Sequence, residues 1–353
     1  MRLTLLLLTL TTTTQAQWQL QQSNTTASLR GIHAVTPQIA WASGTEGTIL
    51  RTEDGGQTWL PCTTPPNAEK LDFRGIQAFD NKTAIAMSSG KGDQSRLYKT
   101  TDGCKTWTLV LTNPDKEGFW DSLQVESNGN GLVVGDPVNG EFKIFCKMDD
   151  DPKWSECWNE DIPKSQKDEG MFAASNTSML HIPEDGITFM GTGGLQGARI
   201  LRACVPCTKQ TSAWSASPMP MFPGRDSAGV FSIAAAWGKT VHLVAVGGDY
   251  KLPNQGTQNV AFSLDYGLHW QASTTTPHGY RSAVVYDPTT KSWLTVGPNG
   301  TDISTDDGRN WHPLNPPPGE ASDTAQHWNA LSLPFVVGPK GRIGKLEPTA
   351  LKP

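Results

Sequence analysis

Apolar residues along this chain fall in short runs that end in Gly-, Asp- or Ser-rich turns. Trp41-Ala-Ser-Gly44, Leu132-Val-Val-Gly-Asp136, Phe189-Met-Gly-Thr-Gly193, Leu243-Val-Ala-Val-Gly-Gly248 and Leu294-Thr-Val-Gly-Pro298 share this form. Turn signals recur about every eight to twelve residues, and no stretch sustains a helical period, so the pattern predicts an all-β chain.

Four turns follow one template, S/T-x-D-x-G-x-T-W. They are Thr52 to Trp59, Thr100 to Trp107, Ser263 to Trp270 and Ser304 to Trp311. An Asp there accepts N–H groups inside a tight turn, a Gly supplies a positive φ, and a Trp opens the next strand as an apolar wedge. Cys104 stands where the second copy wants Gly, so that turn is expected to be distorted. The template resembles the Asp-box, or BNR, repeat, which holds turns and performs no chemistry.

Following the strand-opening Trp alone adds Trp18, Trp154 and Trp214 to the four boxes. Seven such marks predict a seven-bladed β-propeller of four-stranded antiparallel blades. The last repeat, His327 to Leu346, has three strands, and the strand opening at Trp18 is expected to complete it and close the ring, leaving only short, protected edges.

The run Leu3 to Leu10 after Arg2, followed by Ala16, reads as a signal peptide over residues 1–16, with the propeller over 17–353 and a secreted or periplasmic destination. No run approaches the length of a membrane span. Six cysteines in an exported chain suggest disulfides: Cys146 and Cys157 flank a hairpin and are placed to pair, Cys204 and Cys207 form a CxxC, and Cys62 and Cys104 remain. The net charge of −5, with Lys and Arg scattered, argues against nucleic acid. No cofactor or metal motif is present, since Gly191 to Gly197 lacks a strand-turn-helix setting and Asp149 to Asp151 lacks a calcium loop's distal Glu. Sequons stand at Asn24, Asn81, Asn176 and Asn299.

In Asp-box propellers the boxes occupy one face, and ligands collect on the other. Aligning the starts of the innermost strands puts Arg30, Arg74, Trp120, Phe172, Phe231, Arg281 and Trp328 in one register, as a ring at the channel mouth. Three arginines and four aromatics suit an anion, a sugar or a peptide terminus. Asp121 adjoins the ring. Loops between second and third strands add Arg96, Asp136, Arg199, Asp249, Tyr250, Asp302 and Arg342. The same alternation of acid and base equally suits a salt-bridge network between blades.

Phe73 to Asp80, Ser95 to Gly103 and Gly338 to Ile343 resemble an exported family related to the photosystem II stability/assembly factors. Those are lumenal seven-bladed propellers that act without catalysis through an arginine-rich face. The resemblance implies a monomeric binding or assembly scaffold with a protein, peptide or glycan ligand opposite the boxes. The alternative is a sialidase-like glycoside hydrolase using carboxylates among Asp121, Asp136, Asp249 and Asp302. The F/Y-R-I-P motif is missing, and a hydrolytic pair must face each other across a cleft.

Overall fold

Short strands that alternate with turns cannot bury both faces alone, so they assemble radially. The computed structural model describes residues 17–148, 151–157, 162–204, 214–222, 224–316, 321–347 and 351. These form seven sheets, each with a meander of four antiparallel strands. Blade 1 holds Leu29–Ala34, Ala40–Gly44, Ile49–Thr52 and Leu60–Pro61, and blade 2 holds Phe73–Ala78, Ala84–Ser88, Arg96–Thr100 and Thr108–Thr112. Blade 3 runs from Trp120–Val125 to Asp151–Glu156, blade 4 from Met179–Ile182 to Ser215–Pro218, blade 5 from Arg225–Ala236 to Gln271–Ala272, and blade 6 from Ala283–Asp287 to His312–Pro313.

Blade 7 has Ala330–Ser332, Phe335–Val337 and Ile343–Leu346, and Trp18–Gln21 pairs with the last of these from Trp18↔Leu346 to Gln21↔Ile343. The N-terminal strand therefore closes the ring as expected. Trp18 is buried, its ring 5.9 Å from Trp328, and its indole N–H donates to Thr301 at 3.1 Å.

Core side chains gather between blades. One cluster joins blades 1 and 2 through Trp41, Phe73, Tyr98 and Trp107, and others join every later pair round to Phe335 and Leu29, where blade 7 meets blade 1.

Each box works as its residue types require. Asp54 Oδ1 accepts from the Thr52 hydroxyl and the Thr58 N–H, and Thr52 Oγ1 accepts from the Gly56 N–H, all at 2.9 Å. Boxes at Asp102, Asp265 and Asp306 repeat these bonds. The expected distortion at Cys104 does not occur. Its φ of 62° is close to the 75° and 79° of Gly267 and Gly308, and its sulfur bonds to Cys62, tying the blade 1–2 connection to the box. Cys146 and Cys157 form a second disulfide across blade 3. Residues 1–16, Asp149, Asp150, Cys207 and the Cys204 side chain lie outside the described residues.

Candidate functional site

The inner strands of blades 1, 2, 3 and 5 share a local irregularity. Pairing skips one residue between Leu29 and Gly31, Phe73 and Gly75, Trp120 and Ser122, and Val230 and Ser232. The skipped residues, Arg30, Arg74, Asp121 and Phe231, are each the extra residue of a β-bulge, a device that re-aims a side chain. In blades 6 and 7 the equivalent residues are Ser282 and Asn329. Their N–H groups donate to Val296 and Val337, the residues that Ala283 and Ala330 already oppose.

Three residues of the expected ring are thereby corrected. Trp120 and Trp328 fall one position early, opposite Gly135 and beside Gly338, and both are buried as wedges between blades. Arg281 is likewise one position early and fully buried. Its Nε donates to Asp302 Oδ2 at 2.8 Å and its Nη1 to Asn299 Oδ1 at 2.6 Å, while His278 Nδ1 lies 2.9 Å from Asp302 Oδ1. Burial drives the Arg281 pKa down against the pull of Asp302, while the imidazole and the guanidinium hold Asp302, itself desolvated, below the usual carboxylate range.

Phe172 departs from the register for another reason. Blade 4 has no strand at that position; its inner strand starts at Met179, and residues 171–178 leave the blade and cross the channel. Arg74 of blade 2 donates to the Ala173 carbonyl at 3.3 Å. The Asn176 amide brackets the Leu123 backbone of blade 3 at 2.7 and 2.9 Å, Thr177 reaches Ser232 of blade 5, and Ser175 reaches the Ser282 carbonyl of blade 6 at 2.7 Å. This segment is a plug, and it commits the Asn176 sequon to an internal role. Phe172 stacks on Phe231 with centroids 4.0 Å apart, and Tyr280 and Tyr250 stand edge-on to Phe231.

Beside the plug lies a mixed cluster of charge. Arg74 Nε donates to Asp72 Oδ2 at 2.7 Å. Arg30, half-buried, has no hydrogen-bond or ion-pair partner among the described residues, and its Nε is fully shielded. Desolvation and then the neighbouring Arg74 lower its pKa. Asp121 is fully buried with Oδ2 unpartnered, and burial followed by the charge of Asp136 pushes its pKa well above the usual range. Burial raises Asp136 to about 6, although its Oδ1 accepts the Met171 N–H at 2.8 Å.

Most of the loop residues are tied to blade-to-blade connections. Arg199 forks onto the buried Glu169 at 2.8 and 2.5 Å. Arg96 donates to the Asn67 carbonyl, and Arg342 stands 3.7 Å from Asp323 with its guanidinium 4.9 Å from the Trp328 ring centroid. Asp249 is buried 3.7 Å from Arg225, and Tyr250 is 49% exposed, the open end of the aromatic group. Among the acids named for hydrolysis, Asp121 and Asp136 lie together, the first fully buried beside the second. The signal that sequence reading missed is the bulge, together with Asn329, Ser282 and the plug residues Ala173 to Thr177.

Fold and boxes together define an Asp-box propeller of seven blades. A family model described as photosynthesis system II assembly factor YCF48 matches residues 10–130, a stretch that reaches into blade 3. Residues 10–130 are thus similar to the photosystem II assembly factor family, and the blades beyond them share its fold. Similar solved structures include one described as YCF48 bound to D1 peptide, with a TM-score of 0.63 and 17% identity over 94% of this chain and 96% of that one. Another is YCF48 from Cyanidioschyzon merolae, with a TM-score of 0.61 and 16% identity over 94% and 99%. No curated protein matches by sequence.

Proposed function

We propose that this chain is a non-catalytic binding propeller that receives an acidic group of a protein or peptide at the mouth formed by Arg30 and Arg74. The observation that carries the reading is the unpartnered Arg30 guanidinium, shielded at Nε and set beside a second arginine. A carboxylate there would relieve repulsion between the two cations and give the terminal nitrogens of Arg30 an acceptor. The aromatic group of Phe172, Phe231, Tyr250 and Tyr280 offers an adjacent surface for an apolar side chain. The described relative with a D1 peptide supports a peptide ligand over a glycan. The apolar run Leu3 to Leu10 supports export, and we propose that the exported chain acts as a monomer.

A thermal-shift screen tests this reading with acidic peptides, sialic acid and plant-wall oligosaccharides. Peptides are expected to stabilise the wild type and to lose that effect in Arg30→Ala, Arg74→Ala. Stabilisation by sugars alone, or by peptides equally in the variant, would overturn it.

A further inference from the structure

A box joins the third and fourth strands of its blade, and the turn between first and second strands lies at the same end of the ring. A cavity of about 160 Å³ opens at this end, away from the Arg30 mouth. Gln77, Gln124 and His181 carry the inner strands of blades 2, 3 and 4 to it, and Glu126 and Asn130 reach it from the first turn of blade 3. Leu132, Met148 and Pro183 form its apolar side.

Hydrogen bonding in this cavity is unbalanced. Gln77 donates to the Val125 carbonyl at 2.6 Å and accepts the Val125 N–H at 2.7 Å, and Gln124 accepts the His181 N–H, so both amide oxygens are committed to the next blade. Asn130 Oδ1 is shielded from solvent and accepts no hydrogen bond among the described residues. Glu126 Oε1 lies 3.4 Å from His181 Nε2, while His181 Nδ1 is 2.9 Å from Thr188 Oγ1. Burial lowers the His181 pKa against the pull of Glu126, so at neutral pH the imidazole leaves the carboxylate's charge uncompensated. Among the described residues no Lys or Arg lines the cavity, and Lys147, next to Met148 in the chain, donates to the Gly129 carbonyl at 3.1 Å. What remains is a carboxylate and an amide oxygen in want of donors, beside an apolar wall.

The complement of that surplus is a group that carries positive charge and only donates. A cavity of about 150 Å³ holds roughly six heavy atoms, and an ammonium on a four-carbon stem has about five. We propose that this cavity binds a primary ammonium group on a short apolar stem, either a free alkyl amine or a lysine side chain presented by a partner protein. The ammonium donates to Glu126 and to Asn130 Oδ1, and the stem lies along Leu132, Met148 and Pro183. This site is separate from the arginine mouth and lies on the box side of the ring, where the boxes themselves only hold turns.

The test is a saturation-transfer NMR titration of the full chain at neutral pH with n-butylamine and with Nα-acetyl-lysine methylamide. Saturable binding of at least one is expected, and the tighter of the two tells a free amine from a protein lysine. n-Butanol, of the same shape without the charge, and butyrate should each bind at least about tenfold more weakly. Glu126→Gln should weaken amine binding at least about tenfold and Asn130→Ala about threefold, while Arg30→Ala leaves it unchanged. The proposal is overturned if neither amine saturates, if n-butanol binds as well, or if Arg30→Ala abolishes binding. It is also overturned if Glu126→Gln, with wild-type circular dichroism, binds the amines as tightly as the wild type.

Discussion

Arg30 and Arg281 follow the same apparent motif, an aromatic or aliphatic residue and then Arg at the start of an inner strand, yet they do opposite things. Arg281 is sealed in and neutralises Asp302; Arg30 stands one bulge position later with no partner. A one-residue offset moves a side chain to the other face of a strand, so the sequence could name these residue types without telling core from mouth. Trp120 and Trp328 were displaced by the same offset, and Asp121 and Asn329 take their places. Removing one member of a buried ion pair strands the other, so Arg281→Ala is expected to cost about 3–5 kcal/mol in urea unfolding. Asp302→Asn added to it should recover part of the loss. A cost under about 1 kcal/mol would show that Asp302 finds other compensation.

At the scale of elements, the boxes were legible because their chemistry is local: hydroxyl, carboxylate and glycine all lie within one turn. The plug was not legible, because residues 171–178 resemble the start of a strand and their partners lie on four other blades. Asp136 holds the plug's entry through the Met171 N–H while its own burial raises its pKa from 3.8 to about 6. Here the folded pKa lies above the unfolded one, and the native state binds the proton more tightly. This carboxyl therefore contributes less stability as pH rises from about 4 through about 6, and levels off above. Asp136→Asn keeps an acceptor for Met171 and removes the titration. Thermal melts across this range should show the variant gaining on the wild type as pH rises. Parallel curves would mean that Asp136 is solvated.

For the whole molecule, seven blades and ring closure followed from counting tryptophans, since a wedge between blades is needed wherever two sheets meet. Closure is carried by Trp18–Gln21, which pairs with Ile343–Leu346 and completes blade 7. Deleting residues before Ser28 exposes the edge of Ile343–Leu346 and uncovers Trp328 and Thr301. Cooperative melting should then give way to a broad, lower transition. An unchanged single transition would contradict a closed ring. The plug's contacts with four blades also give the mouth a floor, to which Arg74 is tied through the Ala173 carbonyl.

What that floor receives is open to direct measurement. Isothermal titration calorimetry with a peptide bearing a free C-terminal carboxylate and acidic side chains, compared in wild type, Arg30→Ala and Arg281→Ala, measures it directly. Saturable binding to the wild type, at least about tenfold weaker in Arg30→Ala and retained in correctly folded Arg281→Ala, is the predicted result. Binding that survives Arg30→Ala unchanged, or that no acidic peptide produces, would contradict it.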